Sequence, residues 1–125
     1  MITKFKKFET KEIDLNQKYS DITSYIEEKF IDFLKIKNAI NIHKFQYCEY
    51  LSEEEPNNIF FTFGEYGDED LILLLYEFLE IEKIKIINTK YYESYEEVEV
   101  YVDDKKLDEL YNDYETYQDT KKYNL

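Results

Sequence analysis

His43 and Cys48 are the single histidine and the single cysteine of the chain, and a Cys–His pair is the one nucleophilic arrangement its residues could assemble. The two stand five apart. In an extended segment that separation puts them on opposite faces unless a bulge intervenes. The structural reading, a partly buried thiol and a surface imidazole, is the expected one. Oxygen-ligand chemistry fares no better. Acids cluster at Glu53–Glu55, Asp68–Asp70 and Asp103–Asp104, but none shows the alternating ligands and central glycine of a calcium loop. Zinc would want more thiolates and imidazoles than one of each. A carboxylate pair of glycosidase type has no specificity among 29 acids. Consecutive acids ahead of apolar periodicity are better read as helix caps and dipole partners. The expectation is no catalytic residue, no metal and no cofactor.

Phosphate binding is disfavoured as well. The only glycines, Gly64 and Gly67, lie in GEYGDED, where a phosphate would face carboxylates. All 16 basic residues are lysine, so no guanidinium fork exists to grip phosphate or read guanine. Lys4, Lys6, Lys7 and Lys11 interleave with Phe5 and Phe8, which superficially resembles a basic–aromatic patch. Against a net charge of −13 it reads as a lysine edge that discourages strand pairing. Direct nucleic-acid binding is therefore not expected.

The charge is lopsided. Residues 1–50 carry 8 acids and 9 lysines, whereas residues 51–125 carry 21 acids and 7 lysines. Eight of the 14 tyrosines fall between Tyr91 and Tyr123. Such a field attracts basic surfaces and repels nucleic acid and anionic membrane. Two readings compete for it. One is a solvated coat that keeps a tyrosine-rich protein dissolved. The other is a docking face, on which carboxylates spaced along a helix imitate a row of phosphates and tyrosines supply stiff contact area.

The elements that position these side chains are legible from periodicity. Length and composition predict one globular domain. Residues 1–19 read as an arm or edge strand. Ser20 or Asp21 caps a helix over about 21–37, with a stripe of Ile22, Tyr25, Ile26, Phe30, Phe33 and Leu34. Residues 39–51 look extended; Ile40 and Ile42 alternate on one face and Phe45 and Tyr47 take the opposite parity, a change of phase that suggests a bulge or bend near His43 and Lys44. SEEEPNN (52–58) is a loop and IFFTF (59–63) a buried strand. A helix capped by Asp68 runs to about Glu80; apolar on several sides, it reads as the central, most buried helix. Strands follow at 83–91 and 96–102, the second placing Val98, Val100 and Val102 on one face and Glu97, Glu99 and Tyr101 on the other. Asp103 caps a last helix over about 104–117, with a stripe of Leu107, Leu110, Tyr111, Tyr114 and Tyr117. Residues 118–125 read as a frayed tail.

The predicted class is α+β: after an N-terminal arm, the order α-β-β-α-β-β-α with an antiparallel sheet of about four strands and helices packed on one face. No segment is apolar for the roughly 20 residues a membrane helix needs. The opening MITKFKKFETKEIDL lacks the apolar centre of a secretory leader, and one cysteine allows no internal disulfide, so a cytoplasmic location is expected.

The functional expectation is a non-enzymatic acidic inhibitor that occupies a basic protein, a nuclease or another nucleic-acid-binding protein. The residues expected to bind it are Glu97, Glu99, Tyr101, Asp104, Asp108, Glu109, Tyr111, Asp113 and Glu115. In acidity and small size the chain is similar in kind to anti-CRISPR proteins and to immunity proteins of nuclease toxins. That likeness carries over no residue. The alternative is a structural or adaptor module that self-associates through its aromatic surfaces.

Overall fold

A computed structural model describes residues 15–64 and 69–123. Helix α1 (Leu15–Ile36) is followed by a single 3-10 turn (Ile42–Lys44) and strands β1 (Phe45–Tyr50) and β2 (Asn58–Gly64). Helix α2 (Glu69–Glu82), strands β3 (Lys85–Tyr91) and β4 (Tyr95–Tyr101), and helix α3 (Asp104–Tyr123) complete the chain. The four strands form one antiparallel sheet in the order β1-β2-β4-β3. Each half of the chain thus contributes a hairpin, and β2 joins β4 at the centre. The α+β architecture and element order are those expected.

Strand alternation decides which side of the sheet is covered. Ile59, Phe61 and Phe63 of β2 pair with Val100, Val98 and Glu96 of β4, and all six are buried. Phe45 and Cys48 of β1 extend the same face. Helix α1 lies on β1 and contacts both other helices; α2 also touches β3. From α1 the residues Ile22, Ile26, Phe30 and Leu34, four apart, point into this layer and are fully buried or nearly so. Phe30 is its hub. Its ring meets Phe45, Phe61, Phe63 and Phe78 at centroid distances of 4.9, 5.7, 6.2 and 5.2 Å, three of the four edge-on. Those partners come from β1, β2 and α2, so one side chain joins α1 to both strands of the first hairpin and to the second helix.

Both central helices end the same way. Asn38 (φ 56°) and Lys83 (φ 60°) adopt the left-handed conformation, and the amides of Ala39 and Ile84 reach back to the carbonyls of Leu34 and Leu79, at 3.0 and 2.9 Å. Glu82, in the last turn of α2, accepts from Lys29 of α1 (3.0 Å) and pairs with Lys106 of α3 (3.6 Å), linking three helices through one carboxylate. Asp103 caps α3 as expected: its Oδ1 accepts from the Lys106 amide at 2.8 Å.

The structure corrects several boundaries. Helix α1 begins at Leu15, so residues 15–19 are helical and neither Ser20 nor Asp21 is a cap. Contacts distant in sequence hold this turn: Asn16 donates to Glu53, Lys18 to Asp108, and Tyr19 packs on Tyr50. The rest of the expected arm lies outside the described residues, as do Asp68 and most of the GEYG turn. The bend near His43 is the 3-10 turn, and the change of phase after it is a bulge between Phe45 and Tyr47. Helix α2 is not enclosed on all sides, since Leu73 and Ile81 face solvent. The expected frayed tail is helix as far as Tyr123, because Tyr117 donates to Glu28 at 2.6 Å and Lys121 pairs with the same carboxylate.

Removing the hub should be severe. Phe30→Ala is expected to cost about 3–5 kcal/mol, read as a lowered urea midpoint with unchanged slope.

Candidate functional site

The nine expected partner-binding residues divide between two sides of the molecule. Glu97, Glu99 and Tyr101 project from β4 away from the helices, onto the open face of the sheet. Asp104, Asp108, Glu109, Tyr111, Asp113 and Glu115 belong to α3, on the helical side. The two groups therefore cannot meet one flat partner together.

On α3, Leu107 and Leu110 are buried, and Tyr111, Tyr114 and Tyr117 turn towards α1. Tyr25 of α1 receives the rings of Tyr114 and Tyr117 at 6.0 and 5.7 Å. Tyr111 stacks on Tyr114 and lies under the Lys18 ammonium. The tyrosines thus support the helix from beneath. Burial raises the Tyr25 hydroxyl above its ordinary value, and burial with the Asp21 carboxylate does the same for Tyr114. Both stay neutral at physiological pH.

With the tyrosines inward, helical periodicity puts the carboxylates in two exposed rows. Asp104, Asp108 and Glu115 lie along one flank and span about 16 Å of axis. Glu109 and Asp113, one turn apart, lie along the other. All five are exposed. Two of them already have protein partners: Asp104 accepts from Asn57 at 2.9 Å, and Asp108 pairs with Lys18 at 3.2 Å. Asn57 also donates to the Val102 carbonyl at 2.7 Å, stapling the β1–β2 loop to the start of α3. Since Asn16 donates to Glu53 of that loop, Glu53, Asp104 and Asp108 gather round the first turns of α1. Between Lys106 and Lys121 the chain has five acids and no lysine.

The open face of the sheet has a different character. Its strand register sets Tyr47, Thr62, Glu97 and Lys90 in one row across all four strands. The next row holds Glu49, Phe60, Glu99 and Asn88, and Asn58 donates to Glu99 at 2.8 Å. Tyr101 is exposed at the strand end, opposite Lys85. Charge is mixed here, so the net negative field resides elsewhere.

Centred on the first row is a recess of about 280 Å³, lined by Gln46, Tyr47, Thr62, Ser94, Tyr95 and Glu97. The β1 bulge places Gln46 at its edge, and Gly64 leaves the space that the Gln46 amide occupies: a Cβ at 64 would stand 2.5 Å from Nε2. The β3–β4 turn supplies Ser94 and Tyr95, with Tyr92 stacked on Tyr95 at 4.4 Å. Partial desolvation and the Glu97 carboxylate raise the Tyr92 hydroxyl. Thr62 is only 2% exposed, and its hydroxyl finds no hydrogen-bond partner among the described residues. An unpaired buried hydroxyl costs about 1–3 kcal/mol.

The residues first considered for chemistry are apart. Cys48 faces the core, and burial, reinforced by Glu27 and Glu49, pushes its thiol well above the ordinary value; it is a poor nucleophile. His43 is exposed in the 3-10 turn. Among the described residues no three acids, histidines or cysteines converge as a metal site would require, and no helix is long and apolar enough to cross a membrane. No protein-family model, curated protein or solved structure matches the chain.

One acid lies inside. Glu96 is 5% exposed on the covered face, next to Phe63 in register, and desolvation raises its carboxyl above the ordinary 4.5. A carboxyl that holds its proton more tightly folded than unfolded favours the fold in acid. That contribution is complete below the unfolded value and is lost as pH rises through the native one. Glu96→Gln should therefore match the parent's urea midpoint at pH 4 and exceed it at pH 7. Equal midpoints at pH 7 would show the carboxylate to be well solvated.

Proposed function

We propose that the chain is a non-enzymatic inhibitor that binds a basic, nucleic-acid-binding protein and blocks the surface that would hold nucleic acid. The observation that carries this reading is the double row of exposed carboxylates on α3, uninterrupted by lysine from Asp108 to Asp119. A helix presents charge at fixed intervals, and the Tyr25–Tyr114–Tyr117 packing fixes its orientation. Asp108, Glu109, Asp113 and Glu115 form the contact, with Glu53 and Asp104 extending it at one end. Tyr111 acts through support of the helix. Glu97, Glu99 and Tyr101, on the other side of the sheet, stand outside this contact. The inhibitor works where its target works, in the cytoplasm of a cell or infected cell.

A second reading, a self-associating assembly module, draws on exposed apolar side chains. Ile36, the last residue of α1, and Ile40, in the turn after it, are 77% and 91% exposed, and Leu73 is 58% exposed on α2. A stable oligomer in light scattering that buries these residues would favour it.

Charge recognition makes a definite prediction. Association should be fast and should weaken steeply with salt. In Glu109→Lys/Asp113→Lys/Glu115→Lys, folded by circular dichroism, affinity for the basic protein retained from lysate at low salt should fall on the order of 100-fold, about 1 kcal/mol per reversed site. Undiminished affinity, or binding indifferent to salt, would overturn the proposal.

A further inference from the structure

We propose that the recess on the open face of the sheet is a binding site for a single guanidinium group. It is separate from the acidic helix and does not rest on the function proposed for that helix.

The ligand's class follows from the lining. Glu97 supplies a carboxylate, Gln46 an amide oxygen, and Ser94 and Thr62 hydroxyl oxygens, so acceptors stand round the recess. The carboxylate disfavours an anion, and the polar lining disfavours an apolar group. Tyr47 and Tyr95 add aromatic rings, and Tyr92 backs Tyr95. A planar cation with five N–H donors matches spread acceptors between rings; a compact, strongly hydrated ammonium matches them less well.

Thr62 argues that the recess is built to receive a ligand. A strand residue on a solvent face ordinarily turns its hydroxyl to water. This one is buried at the recess that Gln46, Tyr47 and Tyr95 also line, and it finds no hydrogen-bond partner among the described residues. Gln46 and Tyr47 are exposed and hydrogen-bond through their backbone in β1, so their side chains can turn aside to admit a donor.

Among the described residues no cation fills the site, and the Tyr92 hydroxyl is the group that reaches Glu97. The chain contains no arginine. Lys90, opposite Glu97 in register, makes no ion pair with it. The volume of about 280 Å³ leaves room for the methylenes that carry a guanidinium. The ligand comes from another molecule, as an arginine side chain of a protein or as a dissolved guanidinium compound.

The test is a titration of the ¹⁵N-labelled full chain at low salt with acetyl-Gly-Arg-Gly-amide, acetyl-Gly-Lys-Gly-amide and free arginine. Saturable shifts are expected at Gln46, Thr62, Ser94 and Glu97, with the arginine peptide about tenfold tighter than the lysine peptide. Glu97→Gln and Thr62→Val should each weaken it at least about fivefold. The reversal of Glu109, Asp113 and Glu115 should leave the same residues responding. Comparable binding of free arginine supports the site with a dissolved ligand as its source; binding of the peptide alone supports it with a protein side chain. Equal affinity for both peptides, shifts spread over the helices, or full affinity in Glu97→Gln would overturn the proposal. Glu97 is partly exposed and on the open face, so that variant remains informative if Thr62→Val folds poorly.

Discussion

The Phe30 ring is the contact on which the rest of the fold depends. From the middle of α1 it meets aromatic rings of β1, β2 and α2 together. Edge-on packing among rings stabilises each pair by about 0.5–1.5 kcal/mol beyond area burial. Once α1 is fixed over β1 and β2, its other face is fixed as well, and Tyr25 then sets where α3 lies. The carboxylate rows of α3 therefore take their orientation from a phenylalanine on the far side of α1.

Much of this was legible because two periods are unmistakable in the chain. The alternation of Val98, Val100 and Val102 with Glu97, Glu99 and Tyr101 fixed both faces of β4, and the Ile22–Leu34 stripe identified α1. The start of α1 was not legible. Leu15–Ser20 has weak apolar spacing, and its helicity rests on Asn16–Glu53, Lys18–Asp108 and Tyr19–Tyr50, contacts that no local pattern encodes. The persistence of α3 past Tyr117 has the same origin in Glu28. Of the candidate site, the α3 carboxylates could be read from spacing, and helices packed on the valine face of β4 already imply their separation from the outward Glu97 and Glu99. The recess was invisible in sequence, since Thr62 looks like any strand threonine until four strands are in register.

The acids divide by role. Asp103 caps a helix, Glu82 joins three helices, and Glu28 and Asp104 accept hydrogen bonds that hold the ends of α3. Glu96 is buried against its preference for water. An excess of 13 negative charges is therefore not a uniform coat. Part of it is structural, and on α3 Glu109, Asp113, Glu115 and Asp119 follow one another with no lysine between them.

The central pairing of β2 with β4 bears on how the chain is made. Asn58 meets Tyr101 and Gly64 meets Tyr95, partners more than thirty residues apart. As the polypeptide leaves the ribosome, the β1–β2 hairpin emerges first, with Phe60, Phe61 and Phe63 on a strand whose inner edge has no neighbour. That edge stays open until residues 95–101 have been synthesised. An uncovered, phenylalanine-rich strand is a template for pairing with another nascent chain. Yield in a fast-translating host should accordingly be limited by intermolecular capture of the first hairpin, and a translational slowdown after β4 would come too late to help.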